Sequence, residues 1–209
     1  MKETERRKRF FKTALQLIHE KGYKAMTMRD LAKKLDCDVS NIYNYVQSKH
    51  ALLEQLLFEI SNQFHDGMTS IVSSPIPPLE QLKAVIALHI RLTIENPYQV
   101  GLLSNEWRQL NPKPQQDFID FRNTYEQKLQ SILQEGVQAG TLKVDNLEFT
   151  TNCILSSIRW IYAWYQPENP AIKPAELERL MIDFVLKGVV NIAAIKKNSK
   201  KRRRYFIEN

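Results

Sequence analysis

The chain has 209 residues, of which 43% are hydrophobic and 25% are charged. These values are those of a globular protein and exclude a disordered, collagen-like or disulfide-rich chain. No apolar run reaches the roughly 18 residues of a membrane span, and the charged N-terminus lacks the apolar core of a signal peptide. Cys37 and Cys153 lie far apart, without zinc-ligand spacing. We therefore expect a reduced, cytoplasmic protein without a cofactor or metal.

The net charge of +7 is unevenly distributed along the chain. Residues 1–50 carry 12 basic and 6 acidic side chains, residues 51–195 carry 11 and 16, and residues 196–209 carry 7 and 1. Basic ends around an acidic middle indicate that one end meets a polyanion. Nucleic acid is the first candidate partner, and an anionic membrane surface is the second.

The spacing of apolar residues predicts an all-α protein. Only six glycines occur, and apolar residues recur at intervals of three and four along most of the chain. Turn-forming residues divide the chain into about nine helices. The helices after Pro78 are longer and richer in aromatic residues, so the change in composition near residues 66–78 marks a domain boundary.

The first 46 residues have the spacing of a helix-turn-helix. Thr27 and Asp30 occupy the N-cap and N3 positions of a second helix, as in a capping box. A turn begins at Asp36, and Asp38 can cap a third helix whose body is 39–46. Two helices of about eight residues around a turn of three are typical of a helix-turn-helix, whose second helix enters the major groove.

Polar side chains in this region are suited to reading DNA. Short polar side chains reach base edges, whereas hydroxyls and cations bind phosphates. The candidates for DNA contact are Thr27, Arg29, Val39, Ser40, Asn41, Tyr43, Asn44, Tyr45 and Lys49. Ser48 can cap the next helix. Taken singly, Tyr43 also fits a core aromatic, and Asn41 and Asn44 also fit solvated surface, but the set as a whole favours DNA binding.

The segment GYKAMTMRDLAKKLDCDVSNIYNYVQSKHALLEQLL resembles the DNA-binding region of the tetracycline-repressor (TetR) family of bacterial transcription regulators. The resemblance covers roughly residues 5–60. It depends on Gly22, Tyr23, Thr27, Arg29, Asp30, Leu31, Ala32, Ile42, Tyr43, Ser48, Lys49, Leu52 and Leu53. The chain departs from the family pattern at Asp36 and Ser40, where glycines are usual, and at Val46, where phenylalanine is usual.

This resemblance implies a ligand-responsive repressor that binds DNA as a homodimer. It divides the chain into a helix-turn-helix domain at 1–60, a helical ligand-binding and dimerisation domain at 61–195, and a basic tail at 196–209. Two recognition helices about 34 to 36 Å apart predict a near-palindromic operator. If the dimer contacts about eight phosphates, the logarithm of the binding constant falls with the logarithm of salt at a slope near −7.

Two strongly apolar segments are candidates for the dimer interface. They are residues 147–164 and 177–195, and two such helices from each protomer can form a four-helix interface. Ser156, Ser157, Ala193 and Ala194 would allow close helix approach. The alternative is that both segments belong to the internal core.

The aromatic residues and arginines of the C-terminal half are candidates for a ligand site. Aromatic side chains line pockets but also fill ordinary cores. An arginine beside an aromatic wall can bind a carboxylate or phosphate, and surface ion pairing is the simpler alternative. The chosen candidates are Arg91, Trp107, Phe121, Arg122, Tyr125, Trp160 and Trp164. Residues 105–165 are similar in outline to TetR-type regulators of fatty acids or acyl-CoA thioesters, which makes these the expected effectors.

No catalytic motif is present, and we expect no enzyme. The chain has no glycine-rich phosphate loop, nucleophile elbow or zinc-protease motif. His65 and His89 could meet on neighbouring helices and bind a metal, but isolated helical histidines are more often core or surface. The remaining alternative is a membrane-surface or protein-interaction module that uses the basic tail.

Overall fold

The computed structural model describes residues 3–165 and 170–190. Within these ranges the chain forms nine α-helices joined by short turns. The helices are α1 (Glu3–Lys21), α2 (Met28–Leu35), α3 (Val39–Ile42), α4 (Lys49–Ser73), α5 (Pro78–Glu95), α6 (Pro97–Asn105), α7 (Pro112–Gln138), α8 (Leu147–Arg159) and α9 (Pro174–Val189). Two short 3₁₀ helices lie at Trp107–Gln109 and Trp160–Ala163. The prediction of an all-α protein of about nine helices is confirmed.

The described residues form two compact units. The N-terminal unit contains residues 3–63 and 95–121, and the C-terminal unit contains 64–94, 122–165 and 170–190. Both units are discontinuous, because α4 and α7 each contribute one part to each unit. The functional division of the chain at residues 60 and 195 stays a prediction.

One apolar core holds the N-terminal unit together. Side chains from α1, α2, α3 and the first half of α4 meet there, joined by residues from 102–118. The members exposed by 1% or less are Phe10, Ala14, Met26, Leu31, Ile42, Leu52, Leu53, Leu56 and Leu57. Complete burial of each large apolar side chain contributes about 1.5 to 3 kcal/mol of transfer free energy, and this shared core fixes the short helices α2 and α3 in place.

The buried apolar side chains of the C-terminal unit come mainly from α5, α7 and α8, with others from α4, α9 and the 3₁₀ helix after α8. Those exposed by 1% or less are Met68, Leu82, Val85, Ile86, Ile90, Leu129, Ile132, Leu133, Leu155, Ile158 and Ile161. At the end of α7 a Cβ at Gly136 would lie 2.4 Å from Cδ1 of Leu142, so the absence of a side chain there lets the chain fold back closely. Gly140 takes a positive φ of 70° in this turn.

Three predicted helices differ from the observed ones. The recognition helix expected over 39–46 is an α-helix only at Val39–Ile42. The segment 147–164 is α-helical to Arg159 and then continues as the 3₁₀ helix Trp160–Ala163. In the segment 177–195, α9 already begins at Pro174, a residue favoured at a first helical position, and residues 191–195 lie outside the described residues. The tail at 196–209 also lies outside them.

Candidate DNA-binding surface and effector site

A capping box fixes the start of α2. The Thr27 hydroxyl accepts a hydrogen bond from the Asp30 N–H at 3.1 Å, and the Asp30 carboxylate accepts one from the Thr27 N–H at 3.0 Å. The same carboxylate pairs with the Lys21 ammonium at 2.9 Å. These hydrogen bonds, that from Lys21 first, lower the pKa of Asp30 to about 2. Asp30 therefore ties the end of α1 to the start of α2, and the predicted capping box is confirmed.

A left-handed residue makes the turn between α2 and α3. Asp36 has φ 55° and ψ 54°, and its N–H bonds the carbonyl of Lys33 at 3.3 Å. Cys37 donates its N–H to the Ala32 carbonyl at 3.1 Å. Aspartate tolerates this conformation better than most residues that carry a Cβ. The turn therefore forms although the glycine usual in this position is missing.

The recognition segment, defined as residues 39–46, contains a shorter α-helix than predicted. After Ile42 the chain turns tightly, with Tyr45 N–H bonding the Ile42 carbonyl at 3.0 Å and Val46 N–H bonding it at 3.4 Å. Asp38 occupies the predicted N-cap position of α3, but its side chain makes no capping hydrogen bond. Buried Ile42, with 0% exposure, holds the segment to the core.

Six of the nine predicted DNA-contact residues are exposed. They are Thr27, Arg29, Ser40, Asn41, Tyr43 and Asn44. Tyr43 is 52% exposed, so the alternative of a core aromatic does not hold for it. Four of the six lie within the recognition segment around the buried anchor Ile42. Their hydroxyl, amide and phenol groups present donors and acceptors to solvent, as a DNA-reading surface requires.

The other three predicted contacts are half-buried and have partners within the protein. Val39 packs against the core of the N-terminal unit. The Tyr45 ring stacks on Phe10 with 4.7 Å between centroids and 17° between planes. This packing accounts for Val39 and Tyr45 without DNA, which the sequence did not indicate. Their roles in DNA binding stay predictions.

Lys49 is also engaged inside the N-terminal unit. Its ammonium donates to the Lys24 carbonyl at 3.0 Å and lies 4.5 Å from the centroid of the Tyr23 ring. Burial lowers the pKa of Lys49, and the negative charge of Glu106 partly opposes that shift. An ammonium has three donors, so Lys49 can still bind a phosphate while it holds this loop.

Two further features shape the start of α4. The Ser48 hydroxyl accepts the Ala51 N–H at 3.0 Å, which confirms its predicted capping role. The Tyr23 hydroxyl donates to the Lys49 carbonyl at 3.3 Å, and burial, with the charge of Glu106, raises the pKa of Tyr23 to about 12. This structural role of Tyr23 does not follow from the sequence motif, in which Tyr23 is only a family marker.

The C-terminal unit contains a buried polar pair. His89 Nε2 and the Tyr125 hydroxyl lie 2.8 Å apart, and the Phe64 ring lies 4.7 Å from the His89 ring. Burial, followed by the positive charge of Arg159, lowers the pKa of His89 to about 3. Burial also raises the pKa of Tyr125. Both side chains are therefore neutral at pH 7 and can each accept or donate one hydrogen bond.

Two arginines share one carboxylate beside this pair. Glu126 Oε1 lies 3.8 Å from Nε of Arg122 and 3.7 Å from Nη2 of Arg159. Burial lowers the pKa of Arg159, and its attraction to Glu126 opposes that shift. Arg122, Glu126 and Arg159, named here the arginine cluster, carry two positive charges and one negative charge. The cluster therefore has an excess of positive charge that an anionic ligand can neutralise.

The seven predicted ligand residues are divided between the two units. Arg122 and Tyr125 are neighbours on α7 at the positions just described. Trp107 and Phe121 instead belong to the N-terminal unit, where Trp107 stacks on Phe118 at 5.7 Å and Phe121 contacts Phe58 at 6.3 Å between centroids. Ring packing within the N-terminal unit therefore accounts for Trp107 and Phe121 without a ligand.

The remaining three predicted ligand residues, Arg91, Trp160 and Trp164, are exposed on the C-terminal unit. A single ligand site made of all seven residues stays a prediction. The ligand residues chosen from the sequence did not include His89, Glu126 or Arg159, although His89 was considered as a metal ligand, because nothing in the sequence indicates that these side chains meet Tyr125 and Arg122. Among the described residues, no group of three metal-binding side chains is present.

Large apolar side chains are exposed on α8, α9 and the 3₁₀ helix between them. Phe149 is 68% exposed, Trp160 63% and Phe184 64%. Trp164 and Leu180 are exposed by 47% and 39%. These five residues are named here the α8–α9 surface. Large exposed apolar side chains on helices that also contribute to the core are typical of an interaction surface.

Family models match both halves of the chain. Residues 10–56 match the model described as bacterial regulatory proteins, tetR family. Residues 75–189, more than half of the chain, match the model described as tetracyclin repressor-like, C-terminal domain. In the part of the chain that the structure describes, no helix has both the length and the apolar character to cross a membrane.

Individual relatives agree with these models. The transcriptional repressor KstR2 of Mycolicibacterium smegmatis is 25% identical, over 88% of this chain and 90% of its own. The fatty acid metabolism regulator protein of Bacillus subtilis is 28% identical, over 62% of this chain and 67% of its own. The solved structure of AibR in complex with isovaleryl coenzyme A and operator DNA superposes with a TM-score of 0.76 at 20% identity, covering 86% of this chain and 97% of AibR.

These matches distinguish between the functions that the sequence left open. They favour a DNA-binding regulator over a membrane-surface module and place the chain among regulators rather than enzymes. The helix-turn-helix geometry found at residues 27–46 agrees with the first family model. The chain belongs to the TetR family of bacterial transcription regulators.

Proposed function

We propose that this protein is a ligand-responsive repressor in the cytoplasm that binds a palindromic operator as a homodimer. The observation that supports DNA binding most directly is the exposed polar row Ser40, Asn41, Tyr43 and Asn44 around buried Ile42. The core and the Asp36 turn fix the backbone of this row before DNA binds, so little conformational entropy is lost on binding.

Selection from a random duplex library tests this proposal. We expect an inverted repeat whose half-sites lie about one or more helical turns apart. Fluorescence anisotropy across a salt series should then give a slope near −7, as for about eight phosphate contacts. A slope shallower than about −3, or no duplex binding at low ionic strength, contradicts a specific dimer on DNA.

A second copy of this chain is the proposed partner of the α8–α9 surface. A twofold interface places the same patch against itself, so helices from both copies can cover Phe149, Trp160 and Phe184 together. Removing these side chains from water is favourable by about 25 cal/mol for each Å² of apolar surface. The two segments predicted to form the interface contain α8 and most of α9, which carry Phe149 and Phe184.

Sedimentation velocity measures the dimer directly. Phe184→Glu would place a charge in a desolvated interface, and we expect the dimer to dissociate at concentrations where the wild type remains dimeric. Ile76→Glu is the matched control, because Ile76 is an exposed apolar residue of the same unit that lies between α4 and α5. A wild-type monomer at all concentrations, or equal effects of both variants, contradicts this interface.

The proposed effector is a fatty acid or an acyl-CoA thioester. The arginine cluster supplies excess positive charge for a carboxylate or phosphate, and the neutral pair His89 and Tyr125 supplies a further polar contact. One similar regulator is named for fatty acid metabolism, and another was solved with isovaleryl coenzyme A and operator DNA. These two names support, for this chain, a ligand with an anionic head and an acyl chain.

A thermal-shift panel of fatty acids and acyl-CoA thioesters tests the effector class. A ligand that lowers operator affinity 100-fold needs about 2.7 kcal/mol of differential affinity for the two states. We expect stabilisation of the wild type that Arg122→Ala and Arg159→Ala reduce. Arg179→Ala is the matched control, because Arg179 pairs with Asp183 at 3.4 Å on the exposed face of α9. Absence of stabilisation by every ligand contradicts the effector class and leaves the DNA-binding proposal untouched.

A further inference from the structure

The first turns of α1 carry a dense group of basic side chains outside the recognition segment. Five are exposed within seven residues, and these are Arg6, Arg7, Lys8, Arg9 and Lys12. They extend beyond Phe10, the first fully buried residue of α1. Packing in the N-terminal unit does not require them, because all five lie in solvent.

Ring stacking places this end of α1 beside the recognition segment. Phe10 stacks on Tyr45 at 4.7 Å, and Tyr45 lies within residues 39–46. Side chains three and four residues apart lie on the same face of a helix. Arg6 and Arg7 precede Phe10 by four and three residues, so they lie on the side of α1 that packs against Tyr45 of the recognition segment.

The Arg7 guanidinium is also held in place. Its central carbon lies 5.1 Å from the centroid of the Phe11 ring, one turn further along α1. A guanidinium over an aromatic ring keeps its N–H donors in the plane available, and those donors suit phosphate oxygens. The ring therefore restricts the side chain without neutralising its charge.

The opposite face of α1 differs in its contacts. Lys8 and Lys12 are four residues apart and lie away from the face of Phe10. Lys8 pairs with Glu5 at 3.6 Å, which partly neutralises that side of the helix. The same helix therefore presents one basic face next to the recognition segment and one basic face turned away from it.

We infer that Arg6 and Arg7 bind backbone phosphates next to each half-site, as a second DNA contact outside the recognition segment. This inference rests on the proposed DNA-binding function. Phosphate contacts carry no base sequence but fix the register of the protein on the duplex. The two arginines therefore extend each half-site on one side and add affinity that depends strongly on salt.

The salt dependence of operator binding tests the inference in the full-length protein. Each lost phosphate contact reduces the slope by about 0.9, so R6A/R7A should make the slope shallower by about 2 to 4 in a dimer that loses two to four contacts. The K8A/K12A double variant removes the same charge from the other face and should leave the slope within about 1 of the wild-type value. Conservative R6K/R7K should retain most of the slope.

Each outcome is decisive once the wild type is shown to bind the operator. An unchanged slope for R6A/R7A, or equal changes for both double variants, overturns the inference, because net charge alone would then explain the effect. Ethylation interference adds a positional readout: ethylation of phosphates next to each half-site should weaken wild-type binding and not that of R6A/R7A. If the wild type binds no duplex, the proposed DNA-binding function itself is contradicted. This outcome differs from the outcomes that overturn only the inference on Arg6 and Arg7.

Discussion

The two units both have an apolar core but differ in where their candidate functional groups lie. In the N-terminal unit the polar groups proposed to contact DNA, such as Asn41 and Asn44, are exposed around the apolar core. In the C-terminal unit the polar pair His89 and Tyr125 is buried, and large apolar side chains such as Phe149 are exposed. The N-terminal unit therefore follows the usual distribution of a soluble fold, whereas the C-terminal unit departs from it at this buried polar pair and at these exposed apolar side chains.

The difference follows from the partner that each unit is proposed to bind. DNA presents charge and hydrogen-bonding groups at its surface, so the groups that read it must be exposed. A small effector is bound more specifically by polar groups that are already desolvated, because an unmatched buried group is costly. A second protomer needs apolar area, which must be exposed before assembly.

The largest expected effect tests the core on which the recognition segment depends. Ile42→Ala shortens a fully buried side chain. The backbone carbonyl of the same residue accepts the hydrogen bonds of the following turn. We expect a loss of about 2 to 5 kcal/mol in the free energy of unfolding, measured by chemical denaturation, and a large loss of operator affinity. Ile154→Ala, buried in the C-terminal unit, should cost similar stability and leave operator affinity much closer to wild type. Equal losses of affinity contradict the comparison.

The next effect separates DNA binding from stability at an exposed position. Tyr43→Phe removes a hydroxyl proposed to donate to a phosphate, and hydrogen bonds to charged groups contribute about 1.5 to 3 kcal/mol. Operator affinity, measured by anisotropy, should fall by that amount without a change in melting temperature, because Tyr43 is 52% exposed. Tyr98→Phe is the control, since Tyr98 is half-buried and its ring lies 4.5 Å from that of His19. Unchanged affinity for Tyr43→Phe would remove that phosphate contact.

A pH series tests the buried polar pair of the C-terminal unit. The pKa of His89 is about 3 in the folded protein and about 6.5 when unfolded, so the unfolded state binds more protons between these values. The contribution of His89 to the free energy of unfolding is therefore at its maximum above pH 6.5. It decreases progressively as the pH falls from 6.5 towards 3. At pH 5 the loss is about 2 kcal/mol.

His89→Gln checks this assignment, because an amide can also hydrogen-bond to Tyr125 but does not titrate. Its melting temperature should fall less than that of the wild type between pH 7.5 and pH 5. Asp30 titrates only at about pH 2, outside this range. Parallel melting curves for wild type and variant across the range would show that His89 is not the group responsible.

The smallest expected effect lies in the turn of the helix-turn-helix. Asp36 has a positive φ of 55°, which glycine adopts without strain. Asp36→Gly should therefore raise the free energy of unfolding by about 0.5 kcal/mol. The relief of backbone strain in the folded state is larger than the opposing effect of the extra conformational entropy that glycine gives the unfolded chain. Asp38→Gly, at φ −68°, should lower it by a few tenths. Destabilisation by both variants would indicate that Asp36 is not strained.

Local sequence patterns predicted the local structure of the N-terminal unit well. The start of α2 follows from Thr27 and Asp30, which satisfy each other's backbone donors within four residues of chain. The length of α3 did not follow, because its end depends on how the chain turns from Ile42 back to the core rather than on periodicity. Likewise, the position of Lys49 in the sequence predicted a contact with a DNA phosphate, but only the fold shows its contacts with Lys24 and Tyr23.

The ligand candidates show the same limit over longer distances. Arg122 and Tyr125 share a helix, so the sequence placed them together. His89, 36 residues before Tyr125, and Arg159, which approaches Glu126 from α8, required the packing of three helices. Trp107 and Trp160 have similar aromatic signals in the sequence, yet one packs on Phe118 and the other is 63% exposed.

The sequence by itself determined the all-helical class and the helix-turn-helix, because these depend on periodicity, caps and turns within a few residues, and its resemblance to known regulators indicated the family. Tertiary structure alone decided which polar groups are buried together, which apolar side chains remain exposed, and that the basic start of α1 lies beside the recognition segment. These properties arise from contacts between helices distant in the chain, and a one-dimensional pattern does not contain the distances between them.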